Sequence, residues 1–284
     1  MLRRTAIVTG SARGIGKAIA RRLVQDGYSV CINDIPSSAT EIQSVVDELN
    51  NLPPPTAAST STQAPSPRPQ AIGIPADVTS ADAVSSLVQE TVHQLGPLTL
   101  MVANAGISQV KPLLSSTPAD IDRIFSVNFT GVFNCYVAAA RQMIAQGDPL
   151  SAAGVQVYKI LGAASIVAHK PFATLGIYSA SKFAVRGLTQ AFAMEMAGHK
   201  ITVNAYAPGI VDTNMWEEID AGLGEIEGRG KGESLRLYSD RNVALGRTSR
   251  PEDVAGLVGG FLAGQDSDYV TGQTMVVDGG VVFT

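Results

Sequence analysis

The chain has 284 residues, which suits one large domain or two small ones, and its 45% hydrophobic content is ample for a buried core. A net charge of −4 with no basic block argues against a nucleic-acid partner. No run of eighteen apolar residues is present and the opening MLRRTAIVTG lacks the form of a signal peptide, so a cytoplasmic protein without a membrane span is expected.

The elements alternate. Strands are predicted near 5–9, 28–34, 71–76, 98–103, 155–164, 200–206 and 273–277. Helices are predicted near 14–26, 38–51, 80–95, 117–146, 178–198 and 251–263. Such βα alternation implies an α/β fold of the Rossmann type: a doubly wound parallel sheet of about seven strands with helices on both faces, spanning residues 1–284 as a single domain. Ligands of such sheets bind beyond the carboxyl ends of the strands.

The first strand runs straight into Gly10-Ser11-Ala12-Arg13-Gly14-Ile15-Gly16 and then into a helical pattern. Strand, glycine turn and helix is the setting in which backbone can approach a pyrophosphate at a helix N-terminus. The spacing is GxxxGxG rather than GxGxxG. The second strand ends at Asp34, placed to accept hydrogen bonds from the ribose hydroxyls of NAD and to repel the 2′-phosphate of NADP. Arg13 pulls the other way, since a guanidinium there could pair with that phosphate. The balance favours NAD, with NADP as the alternative.

Between the second helix and third strand lies PPPTAASTSTQAPSPRPQ, residues 53–70, holding six of the 15 prolines. Its composition predicts a surface insertion that does not pack. Cys31 falls in a strand and Cys135 in an apolar helix, both read as reduced core thiols, and three scattered histidines suggest no metal site.

In the run YSASK, Tyr178 and Lys182 sit four residues apart, on one face of a helix, and Ser165 precedes the tyrosine by thirteen. A cation beside a phenol is expected to lower its pKa from about 10 towards neutrality. That trio suits proton transfer to a carbonyl oxygen or from an alcohol. His169 is a candidate for the cleft wall. Residues 212–240 mix short helical signals with five glycines and read as a hinged lid over substrate.

Together these motifs resemble the short-chain dehydrogenase/reductase family, in its single-domain branch, over almost the whole chain. TGSARGIG is similar to the family's TGxxxGIG, and Asp77-Val78 to the pair that touches adenine. Asn104-Ala105-Gly106 follows Ala103 where the family motif starts with asparagine. Asn128 matches the helix asparagine that holds a proton-relay water. Ser165, Tyr178 and Lys182 match the active-site trio. Pro208, Gly209, Ile210 and Thr213 match the segment at the nicotinamide carboxamide.

The second half looks closest to acetoin/diacetyl reductases and 2,3-butanediol dehydrogenases, through YSASKFAVRGLTQ, ITVNAYAPGIVDTNMWEEID and DSDYVTGQ. Trp216 would then begin the segment over the substrate. Where that subgroup often carries a polar residue after the serine, this chain has Ile166, which makes the pocket less polar.

The resemblance implies hydride transfer between nicotinamide and a ketone, diketone or secondary alcohol, with Ser165, Ile166, Tyr178 and Trp216 around the substrate. It also implies a homotetramer built through the helices at 117–146 and 178–198 and the C-terminal segment. Two alternatives remain open: an enzyme for a bulkier, more apolar ketone, and a non-catalytic NAD(H) sensor.

Overall fold

A computed structural model describes residues 4–53, 70–147 and 158–284. Seven strands form one parallel sheet: β1 (Arg4–Val8), β2 (Tyr28–Ile32), β3 (Ala71–Gly73), β4 (Leu98–Ala103), β5 (Tyr158–Ala163), β6 (Ile201–Pro208) and β7 (Thr274–Val277). Their order is β3-β2-β1-β4-β5-β6-β7, so the winding reverses between β1 and β4. A crevice opens at such a reversal, because the connections leave in opposite directions.

Every residue of β2, β5 and β6 is buried, as expected when helices cover both faces. On one face lie α1 (Gly14–Gln25), α2 (Ala39–Asn50) and α9 (Pro251–Leu257), through Ile19, Leu23, Val45, Leu49 and Val254. On the other lie α3 (Ala81–Leu95), α5 (Val132–Ala145) and α6 (Gly176–Met196), through Val84, Leu87, Tyr136, Met143, Val185 and Phe192. Among the described residues no helix is long and apolar enough to cross a membrane.

The predicted helix at 117–146 is not uniform. It comprises α4 (Pro118–Phe125), a π-turn over Ser126–Gly131, and α5. A second π-turn, Val258–Leu262, follows α9. The predicted 28–34 and 71–76 strands stop early, at Ile32 and Gly73. Beyond them the amides of Ile74 and Ala76 still donate to the carbonyls of Ile32 and Asp34, and the Asn33 side chain adds bonds to the carbonyls of Ile74 (3.0 Å) and Ala76 (3.2 Å). The 212–240 segment holds two helices, α7 (Asn214–Glu227) and α8 (Glu233–Asn242). Of the proline-rich 53–70 stretch, 54–69 lies outside the described residues, as do 155–157 of the predicted fifth strand.

Close packing of β5 on α5 depends on a glycine. A Cβ at Gly162 in β5 would sit 2.2 Å from Tyr136 Oη. That phenol is fully buried and shares a hydrogen bond with Thr189 Oγ1 at 2.9 Å. Gly162→Ala should lower stability by about 1–3 kcal/mol through overpacking. Urea midpoints should show that adding Tyr136→Phe recovers part of the loss; strictly additive effects would contradict this packing account.

Candidate active site

The loops after β1, β2, β4, β5 and β6 converge on one cavity of about 540 Å³. Its nucleotide-like end starts at the glycine turn. Gly10 has φ of +61°, and a Cβ there would lie 2.8 Å from Ala105 Cα, so only glycine permits this approach. No side chain caps α1 and its first turn holds no acid, while Arg13, Gly14, Ile15 and Gly16 line the cavity. Free first-turn amides with a positive dipole end suit a pyrophosphate. The site therefore fits a dinucleotide by its donor chemistry.

Asp34 lines the same end, its carboxylate fixed by the amides of Ala12 (3.2 Å) and Ile35 (2.9 Å). Arg13 also lines it, with an exposed side chain. Asp77 accepts from the Thr79 amide at 2.9 Å. Val78 is locked twice: Asn134 donates to its carbonyl at 2.9 Å, and its side chain occupies the space left by Gly131.

Asn104 turns its side chain into the protein. It donates to the carbonyls of Thr9 and Gly10, both at 3.0 Å, and accepts from Tyr206 Oη at 2.9 Å. Thr9 Oγ1 returns the bond by accepting from the amides of Asn104 (3.0 Å) and Ala105 (3.1 Å). Pro208, Gly209, Ile210 and Thr213 form the facing wall. Gly209 presses on Asp278, which accepts from the amides of Gly280 and Val282 and so brings Val281 and Val282 to the cavity.

Ser165, Tyr178 and Lys182 stand together on the wall next to this region. Ser165 closes a short 3-10 turn by accepting from the Val167 amide at 3.3 Å. Lys182 is 3% exposed and donates to the Ala163 carbonyl at 2.8 Å, with Nζ 5.6 Å from the Tyr178 ring centroid. Burial draws the Lys182 ammonium down to about 8. The expected fall in the Tyr178 pKa is not found. Burial pushes it up to about 12, against a smaller downward pull from Ser165. The reason is geometric: the ammonium lies over the ring and spends its bond on a carbonyl, so desolvation of the phenolate dominates.

Asn128 does not line the cavity. The π-turn carries it inward, fully buried, where its amide exchanges two 2.9 Å bonds with the Ile107 backbone and donates to Ser181 Oγ at 3.1 Å. A Cβ at Gly106 would lie 3.3 Å from Asn128 Oδ1 and 3.4 Å from Lys182 Nζ, so both groups border one point. His169 is also off the wall; its neighbours Lys170, Pro171 and Phe172 line it instead.

The other end of the cavity is apolar. Val167, Leu175, Tyr178, Ile219 and Leu223 form its floor, with Ile166, Phe172, Met215, Trp216 and Tyr238 packed around them. Phe172 and Tyr238 meet edge to face at 5.1 Å between centroids. Asp220, 3% exposed on α7, accepts from the amides of Gly232 (2.5 Å) and Leu235 (2.8 Å) and thereby ties α8 to α7. Sequence reasoning passed over Thr9, Asn33, Asn134 and Tyr206. The polar residues among apolar runs were the available signal; for Phe172 and Tyr238 there was none.

Comparison with known proteins agrees with this geometry. The family model described as short chain dehydrogenase matches residues 4–224. L-2,3-butanediol dehydrogenase of Corynebacterium glutamicum is 44% identical over 280 residues, covering 99% of both chains. A diacetyl reductase, (S)-acetoin forming, of Staphylococcus epidermidis is 37% identical over 282 residues, again 99% of both. Among solved structures, a dehydrogenase/reductase from Sinorhizobium meliloti superposes with a TM-score of 0.80 at 33% identity, covering 100% of this chain and 96% of that one. A short chain dehydrogenase from Burkholderia cenocepacia in complex with NADP gives 0.78 at 31% identity, covering 97% and 96%.

The Lys182 environment has a consequence for stability. Its folded pKa of about 8 lies below the usual 10.5, so between these values the unfolded chain binds more protons. The cost of burying the ammonium, on the order of 3 kcal/mol, is then full below pH 8 and fades as pH rises to 10.5. Denaturant unfolding of wild type against Lys182→Met should show wild type gaining on the variant across that window. A difference independent of pH would refute the assignment.

Proposed function

This chain belongs to the short-chain dehydrogenase family, and we propose that within it the protein interconverts small vicinal diketones or hydroxyketones and their alcohols, of the diacetyl, acetoin and 2,3-butanediol type, using NAD. It is an NAD(P)-dependent oxidoreductase acting on secondary alcohols and ketones. The observation that carries the proposal is the joining of Ser165, Tyr178 and Lys182 to the glycine turn in one cavity. The names of the butanediol and diacetyl relatives supply the substrate class.

The nicotinamide cofactor, when bound, supplies or accepts the hydride. Gly10, Arg13, Gly14, Ile15, Gly16, Asp34, Asp77, Val78, Asn104, Ala105, Gly106, Pro208, Gly209, Ile210 and Thr213 would hold it. Asp34 would favour NAD, because its fixed carboxylate can accept from ribose hydroxyls and repels a 2′-phosphate.

The chain's own part in reduction is proton delivery. With its pKa held near 12, Tyr178 keeps its proton at neutral pH and can give it to the substrate oxygen. Ser165 would hold that oxygen by hydrogen bonding. The Lys182 ammonium would bind the nicotinamide ribose, and the Ser165 hydroxyl, which already pulls the Tyr178 pKa down, would stabilise the phenolate left behind. Asn128 would hold the water through which the proton is replaced. In oxidation the same proton moves back.

Met215, Trp216 and Ile219 of α7 and Tyr238 of α8 would act as the lid, and the protein would work as a cytoplasmic homotetramer. Exposed Phe133 on α5 and Phe183 on α6 support contact between copies through these helices. A second reading, a bulkier apolar ketone, is favoured by the apolar wall of Ile166, Phe172, Trp216 and Tyr238.

Steady-state kcat/KM for NADH and NADPH with diacetyl, acetoin and a bulky aryl ketone decides among these. Faster turnover of diacetyl or acetoin with NADH is expected; turnover of the aryl ketone alone would select the second reading. Tyr178→Phe should abolish turnover with the Kd for NADH unchanged, and near-wild-type activity would overturn the proton-donor role. Asp34→Ala should lower the NADH-to-NADPH ratio of kcat/KM by about tenfold or more, equivalent to about 1.4 kcal/mol.

A further inference from the structure

Outside the cavity, one carboxylate gathers the loop between β4 and α4. Asp120 accepts from the Gln109 side chain at 2.6 Å and from the Lys111 ammonium, the Thr117 amide and the Thr117 hydroxyl at 2.8 Å each. The Lys111 ammonium first, then Gln109, hold its carboxyl well below the usual range. Neither Lys111 nor Asp120 lines the cavity.

The contacts run on to the helix that carries Tyr178. The Lys111 amide donates to the Thr174 carbonyl at 2.7 Å. Thr174 has φ of +66°, a left-handed conformation that a β-branched residue seldom adopts. Such backbone persists where its surroundings hold it, at a cost of about 1–3 kcal/mol. Two residues later α6 begins at Gly176, against which Leu113 of the same loop lies at 2.7 Å from where a Cβ would be. Val110 occupies the equivalent space at Gly222 of α7, also at 2.7 Å, and packs in the cluster that includes Tyr178 and Trp216.

We infer that the Lys111–Asp120 pair is a positioning device for the reaction: it fixes the 107–117 loop so that Thr174 and Leu113 set the start of α6, and with it the Tyr178 hydroxyl, while Val110 braces α7. The inference rests on Tyr178 as proton donor. Lys111 and Asp120 touch neither substrate nor cofactor and act through the loop. A shift of well under an ångström in a reacting group is enough to be seen in turnover.

The test compares Lys111→Met, Lys111→Arg, Asp120→Asn and Thr117→Val in the full chain, using the best carbonyl substrate of the panel above. Thr117→Val removes the hydroxyl that caps α4 and that also donates to Asp120, and it keeps the Lys111–Asp120 ion pair, so it reports the loss of cap and hydroxyl with the pair intact. Lys111→Met and Asp120→Asn should lower kcat by about tenfold or more with the Kd for NADH within about twofold of wild type. Lys111→Arg should recover most of the loss. Thr117→Val should lower Tm with kcat near wild type.

Wild-type kcat in Lys111→Met would overturn the inference. So would a kcat loss in Thr117→Val as large as in Lys111→Met, because the effect would then follow stability rather than the pair. Tyr178→Phe assayed alongside separates the two levels. If it stays active, the reading of the site fails; if it is inactive while Lys111→Met is fully active, only the positioning role fails.

Discussion

The close approach of Gly10 to Ala105 is the constraint on which the rest of the molecule depends. It lets the ends of β1 and β4, the two strands at which the winding reverses, come together. Thr9 and Asn104 then stitch those ends with five hydrogen bonds, and Tyr206 adds a sixth from β6. Three strands far apart in sequence are thereby fixed in register at their carboxyl ends. A side chain at Gly10 would push Ala105 away and would also displace Gly106, beside which Asn128 and Lys182 meet. The nucleotide-like end and the Tyr178 end of the cavity are thus two sides of one junction.

Several polar side chains buried in the fold hold loops and helix starts by hydrogen bonding to their backbone. Asn33 supports the run after β3, Asn134 the Val78 carbonyl, Asp278 the C-terminal segment, and Asp220 the pairing of α7 with α8. Each satisfies backbone groups outside the strands, as buried backbone groups require. Loops anchored in this way can line a cavity without fraying. The apolar end adds side-chain packing to the Asp220 tie, as between Phe172 and Tyr238.

Much of this was legible in the sequence because it is local. Gly10 to Gly16 declares a turn between strand and helix, and Tyr178 and Lys182 share a helix face by spacing. The sheet followed from alternation, and relatives at 44% and 37% identity agree with the family and with action on secondary alcohols and ketones. The π-turn at Asn128 was hidden, because an extra residue in one turn hardly disturbs apolar periodicity over a long helix. The direction of the Tyr178 shift was misjudged for a different reason. Spacing places a cation near a phenol, but only three dimensions show that Nζ points to the Ala163 carbonyl. The meeting of Phe172 with Tyr238 depends on how α8 folds back, which no short motif encodes.

Trp216 is the only tryptophan of the chain, and it lies on α7 against the apolar end of the cavity. Reduced nicotinamide absorbs light where tryptophan emits. The protein therefore carries a built-in optical donor at one end of its cavity, facing the place where the acceptor would sit. Loss of Trp216 emission would then report the arrival of reduced cofactor in the cavity, with no label attached.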